Sequence, residues 1–185
     1  LQDDLPIDFS DLVKFILNLT GRVIVSGVGK SGHIGSKIAA TLASTGTPAY
    51  FVHATEASHG DLGMITEQDL CLLISNSGET IEMFDILTHS RRFGIPVATM
   101  SSNCESTLVK TADFKLCLPM AEEACPIGMA PTTSTTMMLA LGDALAVALM
   151  EAKSFNAENF KVFHPGGKLG AKLMTVGQLM HKNAI

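Results

Sequence analysis

The sequence contains no tryptophan, a single tyrosine and no cluster of basic residues. Proteins that bind nucleic acid commonly stack aromatic rings on bases and present a basic surface to the phosphates. The formal net charge of −5 is also unfavourable for a polyanionic partner. Nucleic acid is therefore not an expected partner.

Cysteine is scarce as well. The four cysteines lie far apart and form no Cys-x-x-Cys pair; they are Cys71, Cys104, Cys117 and Cys125. A chain of 185 residues can bury a full core without covalent cross-links. We therefore expect four reduced thiols in a cytoplasmic protein.

Long hydrophobic runs are missing too. The longest, residues 137–150, spans 14 residues and is interrupted by Gly142 and Asp143. A membrane-spanning helix needs about 20 apolar residues, so this segment is predicted to be a buried helix. The first residues show no signal-peptide pattern. Neither feature indicates a membrane protein.

What is present is a hydrophobic fraction of 46% and a regular alternation of strand and helix patterns. Short apolar runs predict five strands, at 22–26, 49–53, 69–74, 97–100 and 114–118. Amphipathic or apolar segments predict helices within 1–21 and at 31–44, 81–93, 106–111 and 132–152. Because the strands are continuously apolar, we predict one α/β domain with a five-stranded parallel sheet sandwiched by helices.

In such a sheet, ligands bind beyond the carboxyl ends of the strands. The segments that follow those ends are 27–35, 53–63, 75–80 and 119–131. They contain most of the polar residues that could perform chemistry. The functional site is therefore predicted at this edge.

The clearest of these segments is Ser-Asn-Ser-Gly-Glu-Thr at 75–80, between a buried strand and an amphipathic helix. Helix N-termini present unpaired N–H groups and a positive dipole end, so three hydroxyls and a glycine there predict a phosphate-binding turn. The alternative is that Ser77 or Thr80 only caps the helix. A cap needs one hydroxyl, whereas this turn offers three.

The glycines at 27, 29 and 32 spell the Gly-x-Gly-x-x-Gly fingerprint of dinucleotide-binding proteins. That fingerprint also requires an acid at the end of the second strand, but the predicted strand ends in His53. A phosphate-binding P-loop would require glycine at position 24, which is Ile24. The remaining interpretation is a tight turn that brings Lys30 to a small ligand, with a merely solvated Lys30 as the alternative.

Five motifs match those of a known family; they are Gly-Lys-Ser-Gly-His-Ile-Gly at 29–35, Ala-Ser-Thr-Gly-Thr-Pro at 43–48, His-Gly-Asp-Leu-Gly at 59–63, Ser-Asn-Ser-Gly-Glu-Thr at 75–80 and His-Pro-Gly-Gly at 164–167. Together they make the chain resemble the SIS (sugar isomerase) domain family, and within it the arabinose 5-phosphate isomerases. The resemblance implies interconversion of D-ribulose 5-phosphate and D-arabinose 5-phosphate, a step toward the Kdo sugar of lipopolysaccharide.

The resemblance also implies a longer protein. Members carry two CBS domains after the SIS domain, and residues 176–180 resemble the opening of the first. We therefore expect a SIS domain over 1–175, the start of a truncated CBS domain or a linker over 176–185, and a first helix that lacks its beginning. A homotetramer is expected, with the long helix at 132–152 exposing leucine and methionine.

An aldose–ketose exchange needs a base near two carbons, an acid near two oxygens and a phosphate anchor. The resemblance places the catalytic roles on Lys30, Glu82, Glu123 and His164. Lys30 would stabilise the enediolate oxygen, and Glu82 or Glu123, made more basic by burial, would move the proton. His164 would open the sugar ring, from a neighbouring subunit if necessary. Glu79 competes with Glu82 as the acid in this turn.

Substrate binding is assigned to seven further residues: Gly46, Thr47, His53, His59, Ser75, Ser77 and Thr80. We place Gly46 and Thr47 at the mouth of the second strand, in contact with the sugar. No cofactor and no metal are required, and a metal bound at His53 and His59 would inhibit. The hydroxyls at 134–136 are expected to cap the long helix.

Two rival functions are considered. A non-catalytic SIS module that senses a sugar phosphate would need the hydroxyl turn but has no use for Lys30, Glu82, Glu123 and His164 together. An NAD-dependent enzyme would use the glycine loop. Thermal stabilisation by an added nucleotide would favour the second rival.

Overall fold

A computed structural model shows a five-stranded, all-parallel sheet, and it describes residues 5–164 and 180. The strands, in chain order, are β1 (Val23–Gly27), β2 (Ala49–Phe51), β3 (Leu70–Ile74), β4 (Val97–Ser101) and β5 (Phe114–Cys117). Their order across the sheet is β2-β1-β3-β4-β5. Every residue of β1, β3 and β4 is buried, as expected for strands covered on both faces.

Seven helices are described: α1 (Phe9–Leu17), α2 (Gly29–Ser44), α3 (Ala54–Ala57), α4 (Met83–Phe93), α5 (Thr107–Thr111), α6 (Thr133–Ala152) and α7 (Ala157–Phe163). A 3₁₀ turn, Asp61–Met64, follows α3. The predicted α/β class and the five parallel strands are confirmed. The predicted segment 176–185 lies, except for Met180, outside the described residues.

Two hydrophobic clusters cover the two faces of the sheet. One joins buried residues of α1, α2 and α6 to the sheet, and the other joins those of α3, α4 and α5. Helix α6 is long and apolar enough to span a membrane by length and composition. Its residues Met138, Leu141, Leu145 and Leu149 are buried in the first cluster, so it is a core helix.

Helices α2 and α6 run parallel, side by side, from the carboxyl edge of the sheet to the amino edge. Ser31 lies beside Met138, Lys37 pairs with Asp143, and Lys153 contacts the segment after α2. With 16 and 20 residues, the two helices are about 24 and 30 Å long. A residue before these helices and one after them are therefore far apart within one chain.

Several boundaries differ from the predictions. Helix α2 starts at Gly29 instead of 31, and α4 starts at Met83 instead of 81 because Ile81 belongs to the exposed turn. Helix α7 was not predicted. Its signal is present in the sequence as Asn156 and Asn159, which form a reciprocal capping box.

The sulfur atoms of Cys104 and Cys117 lie next to each other, with Cα atoms 5.6 Å apart, so the expectation of reduced thiols stays a prediction for this pair. The parallel register explains this proximity, because Ser101 at the end of β4 lies opposite Cys117 at the end of β5. The two cysteines are therefore close in space although they are 13 residues apart in the sequence. Cys71 and Cys125 are free, and burial raises the pKa of the Cys71 thiol to about 11.

Candidate functional site

The order of the strands creates a crevice at the carboxyl edge. Strands β1 and β3 are neighbours, with Gly27 opposite Ile74. After β1 the chain enters α2 on one face of the sheet, and after β3 it enters α4 on the other. The turns at 28–31 and 75–82 therefore flank a topological switch point, where doubly wound sheets bind ligands.

The first wall of the crevice is the turn into α2. Gly32 is so close to Gly27 that a Cβ on Gly32 would lie 2.9 Å from the Gly27 carbonyl oxygen. Gly29 has a φ of +57°, a conformation that favours glycine. No side chain caps α2, and Lys30 in its first turn is exposed. Within the described part of the chain, the Lys30 ammonium pairs with no carboxylate.

The second wall is the hydroxyl turn at 75–80. Ser75 is buried; its Oγ accepts a hydrogen bond from Gly78 N at 3.0 Å and lies 2.8 Å from Thr80 Oγ1. Ser77 is exposed, and its Oγ accepts from Glu79 N at 3.2 Å. The N-cap of α4 is Glu82, and no side chain caps this helix. The alternative that Ser77 or Thr80 only caps α4 is therefore wrong.

The turn rests on the loop between β4 and α5, which no sequence motif singles out. Gly78 has a φ of +66° and packs so tightly on Ser106 that no Cβ would fit. Ser106 Oγ is buried without a hydrogen-bond partner among the described residues. Asn76 is held by Ser101 Oγ, which donates to its carbonyl oxygen at 3.0 Å.

The two acids of the turn are in different situations. Glu79 Oε1 accepts a hydrogen bond from Thr107 N at 2.7 Å, so its carboxylate holds the N-terminus of α5. Glu82 is exposed, and its carboxylate makes no hydrogen bond within the part of the chain that the structure describes. Glu82 is therefore the acid of the pair that remains available to a ligand.

The two predicted histidines follow β2 at the same edge. His53 is the N-cap of α3, half-buried beside Phe51, and its Nδ1 accepts from Thr55 N at 3.3 Å. His59 is exposed after the end of α3. Among residues 5–164, no group of three or more His, Cys, Asp or Glu is placed to hold a metal ion. The inhibitory metal at His53 stays a prediction.

Glu123 lies in the loop after β5 and holds the N-terminus of α6. Its carboxylate accepts from Ser134 Oγ, from Thr132 N at 2.6 Å and from Thr132 Oγ1 at 3.0 Å. These hydrogen bonds, that of the Ser134 hydroxyl first, lower the pKa of Glu123 to about 2. The premise that burial makes Glu123 more basic is therefore wrong.

The expectation that hydroxyls at 134–136 cap α6 is wrong as well. The capping acceptor is the Glu123 carboxylate, to which Ser134 donates. Thr135 Oγ1 and Thr136 Oγ1 instead donate to the Thr132 carbonyl oxygen at 3.0 and 2.9 Å. An acid nine residues before the N-cap is not a sequence signal that local capping rules recognise.

Gly46 and Thr47 are not at the carboxyl edge. They precede β2 and so lie at its amino end, because the mouth of a parallel strand is the end after it, not before it. Thr47 is buried, and both residues are bonded to Lys153. Their predicted contact with a sugar cannot be made at the carboxyl-edge crevice of the same chain.

His164 belongs to the same region. It ends α7, stacks on Phe160 at 3.7 Å, and its Nδ1 lies 2.8 Å from the Phe160 carbonyl oxygen. Its neighbour Phe163 lines two adjoining cavities of about 300 and 270 Å³, and Gly46 lines both. We call the region lined by Gly46 and Phe163 the amino-edge pocket; His164 directly follows Phe163 in the chain.

The predicted site residues thus fall into two groups. The crevice brings together Lys30, Ser75, Ser77, Thr80 and Glu82, with the histidines and Glu123 on neighbouring loops of the same edge. Gly46, Thr47 and His164 lie at the other end of α2 and α6, and these helices are about 24 and 30 Å long. One chain cannot bring both groups to one small ligand.

The parallel sheet with helices on both faces defines a doubly wound α/β domain, a class whose members bind ligands at the switch point. The chain belongs to the SIS domain family, whose model matches residues 16–148. This match confirms the resemblance that the motifs indicated.

Curated relatives are similar along most of the chain. It is 57% identical over 175 residues to arabinose 5-phosphate isomerase KdsD of Yersinia pestis, covering 94% of this chain and 53% of that one. It is 54% identical over 162 residues to KdsD of Escherichia coli K12, covering 87% and 49%. The chain therefore spans about half the length of these relatives.

Solved structures share the fold. The E. coli CFT073 protein c3406 in complex with arabinose 5-phosphate has a TM-score of 0.85 and 43% identity, covering 89% of this chain and 87% of that one. The NanR protein of Vibrio vulnificus complexed with ManNAc-6P has a TM-score of 0.70 at 20% identity, covering 94% and 61%. This second similarity concerns the fold alone.

Proposed function

We propose that this domain is an aldose–ketose isomerase that interconverts D-ribulose 5-phosphate and D-arabinose 5-phosphate through an enediol, in the cytoplasm, toward Kdo synthesis. The observation that carries the proposal is that Lys30 and the hydroxyl turn follow two neighbouring strands, β1 and β3, on either side of the switch point. The two KdsD relatives, at 54–57% identity, and the arabinose 5-phosphate complex of c3406 support the choice of substrate.

In this proposal the phosphate lies in the hydroxyl turn. Ser77 Oγ donates to a phosphate oxygen, and Ser75 and Thr80 hold the turn in shape. The turn supplies no basic side chain, so the positive end of the α4 dipole and the nearby Lys30 ammonium balance the phosphate charge. The sugar then extends from the turn along the crevice.

Proton transfer is assigned to Glu82. Its carboxylate lies beside the phosphate turn and has no partner among the described residues, whereas Glu123 is occupied by Ser134 and Thr132. Glu82 removes a proton from C1 of the ketose and returns it to C2, while Lys30 stabilises the negative oxygen of the enediolate. Glu123 orders the loop above the crevice.

The second group of residues is supplied by another copy of the chain. Because α2 and α6 separate the crevice from the amino-edge pocket, Gly46 and His164 can reach the sugar only from a neighbouring subunit. His164 then assists ring opening of the aldose. This arrangement requires at least a dimer and is compatible with a homotetramer.

The reaction is tested by incubating the protein with ribulose 5-phosphate in deuterated water and following the products by NMR. We expect an arabinose product that carries deuterium at C2, because the proton on Glu82 exchanges with solvent in the enediol state. An arabinose product without deuterium would show that the transferred hydrogen does not exchange with solvent during turnover. Binding of ribulose 5-phosphate without turnover would instead support a sensor.

The shared site is tested by subunit complementation. The variants Lys30→Met and His164→Ala are each expected to lose most of their activity toward arabinose 5-phosphate, since one lacks a crevice residue and the other the residue assigned to ring opening. When equal amounts are mixed and re-associated, half of the dimers are hybrids with one intact site, so about a quarter of wild-type activity should return. A mixture as inactive as its components would show that both residues act within one chain.

A further inference from the structure

Lys153, which directly follows α6, contacts the amino-edge pocket from beneath. Its Nζ donates to the Gly46 carbonyl oxygen at 2.9 Å and to Thr47 Oγ1 at 2.7 Å. The side chain is half-buried, and burial lowers the pKa of its ammonium. Within residues 5–164, Lys153 forms no ion pair with a carboxylate.

Lys153 differs from Lys37 in that its ammonium has no carboxylate partner among the described residues. Lys37 also crosses from α2 to α6, but it pairs with Asp143 at the surface. Burying part of an ammonium without an acid is unfavourable, so its two charge-assisted hydrogen bonds are the compensation that the structure provides. Both of these bonds go to the segment that forms the floor of the pocket.

That segment is held in an unusual conformation. Gly46 has a φ of +87° and lies against the ring of Phe155, so that a Cβ would approach the ring to 2.9 Å. Thr47 is buried behind it. Gly46 is thus the accessible residue, with Lys153 and Thr47 fixing it from inside and Phe155 limiting it from the side.

We propose that Lys153 is a positioning residue for the isomerase: through its bonds to Gly46 and Thr47 it fixes the floor of the amino-edge pocket in the geometry that receives the sugar from a second copy of the chain. The inference rests on the proposed function. Lys153 acts on the sugar end of the substrate and not on the phosphate, which lies in the hydroxyl turn of the other subunit.

The test compares Lys153→Met, Lys153→Arg and the control Lys37→Met. Loss of two hydrogen bonds from a charged donor should raise the KM for ribulose 5-phosphate about tenfold in Lys153→Met, with kcat changed less than about threefold. Lys153→Arg keeps the charge and the donors and should restore most of the affinity. Lys37→Met should keep the wild-type KM.

Inorganic phosphate supplies a readout that a purely structural role would not produce. It should inhibit wild type and Lys153→Met with the same inhibition constant, because the hydroxyl turn is unchanged. If Lys153→Met raised both the KM and the inhibition constant of phosphate, the proposal would be contradicted. A lower Tm of Lys153→Met with an unchanged KM would contradict it as well. If circular dichroism shows that Lys153→Met is misfolded, Lys153→Gln replaces it in the test. A raised KM with an unchanged phosphate constant in Lys153→Gln supports the proposal, and wild-type values for both overturn it.

The outcome is separable from that of the proposed function. If wild-type protein does not isomerise ribulose 5-phosphate, the proposed function fails, and the inference about Lys153 fails with it. If wild type is active and Lys153→Met keeps its KM, the inference alone fails.

Discussion

The two ends of the neighbouring strands β1 and β3 differ in whether their charged side chains are paired. At the amino end, the fully buried Asp69 carboxylate accepts hydrogen bonds from Arg22 N at 2.7 Å, Arg22 Nε at 3.1 Å and Thr66 N at 2.8 Å. At the carboxyl end, the hydroxyls and the glycine of the turn at 75–80 follow β3, and the exposed Lys30 follows the neighbouring β1. Charge is balanced internally where it holds the fold together, and it is left available where a ligand is expected.

The largest effect on stability should come from a substitution at the amino end, where Asp69 and Arg22 balance each other's charge. Asp69→Asn leaves the Arg22 guanidinium without its acid and should lower the free energy of unfolding by about 3–5 kcal/mol. Denaturant unfolding measures this, with the exposed pair at Asp11 as control, where Asp11→Asn should change stability by less than about 1 kcal/mol. If Asp69→Asn and Asp11→Asn lowered the free energy of unfolding equally, the buried pair at the amino end would have no special role in stability.

The same carboxyl predicts how stability depends on pH. Burial alone would raise the pKa of Asp69, but hydrogen bonds from Arg22 and Thr66 lower it. A lowered pKa gives stability that is present above the ordinary carboxyl pKa and is lost as pH falls below it. The acid-induced loss of stability should therefore be smaller in Asp69→Asn than in wild type.

At the carboxyl end, where Lys30 lies, substitution should affect catalysis and not folding. Lys30→Met removes the charge proposed to stabilise the enediolate, and kcat should fall by about 10²–10³-fold. The free energy of unfolding should stay within about 0.5 kcal/mol of wild type, because Lys30 is exposed and unpaired among the described residues. A stability loss comparable to that of Asp69→Asn would show that Lys30 belongs to the scaffold.

Much of this contrast could be predicted from the sequence. Continuous apolar strands, alternating with helices, fix the parallel sheet, and a parallel sheet gathers the turns at 27–35 and 75–80 at one edge. Both steps depend on short-range patterns and on a general rule of topology. That is why the fold and the placing of both turns at one edge follow without coordinates.

The remainder depends on long-range contacts that no local pattern encodes. Glu123 caps a helix nine residues away, and Glu79 holds α5 across 28 residues. The predicted place of Gly46 is the wrong end of β2, although its position before the strand is sufficient to decide the edge. Lys153 lies 107 residues from Gly46, and only the parallel packing of α2 and α6 brings the two together.

At the carboxyl end, Ser77 and Ser75 are predicted to have different roles: Ser77 binds the phosphate, and Ser75 stabilises the turn. Ser77→Ala removes an exposed hydroxyl and should raise the KM about tenfold at unchanged stability. Ser75→Ala removes a buried acceptor of the Gly78 N–H and should also lower the free energy of unfolding by about 1–2 kcal/mol. Steady-state kinetics and denaturant unfolding of both variants check this. An unchanged KM in Ser77→Ala would mean that its hydroxyl does not bind the phosphate.

The smallest effect concerns Glu123, a structural carboxylate at the functional edge. Because the Ser134 hydroxyl and the Thr132 N–H lower its pKa to about 2, its stabilising effect is fully present above the ordinary carboxyl pKa of about 4.3 and is lost as pH falls toward 2. Glu123→Gln should therefore lower Tm at pH 7 and converge with wild type in acid. Glu122→Gln, at the exposed neighbouring position, should match wild type at every pH. A Tm difference for Glu123→Gln that does not vary with pH would show that its charge does not cap α6, and Glu123 would then not be an internally balanced acid of the kind that Asp69 represents at the amino edge.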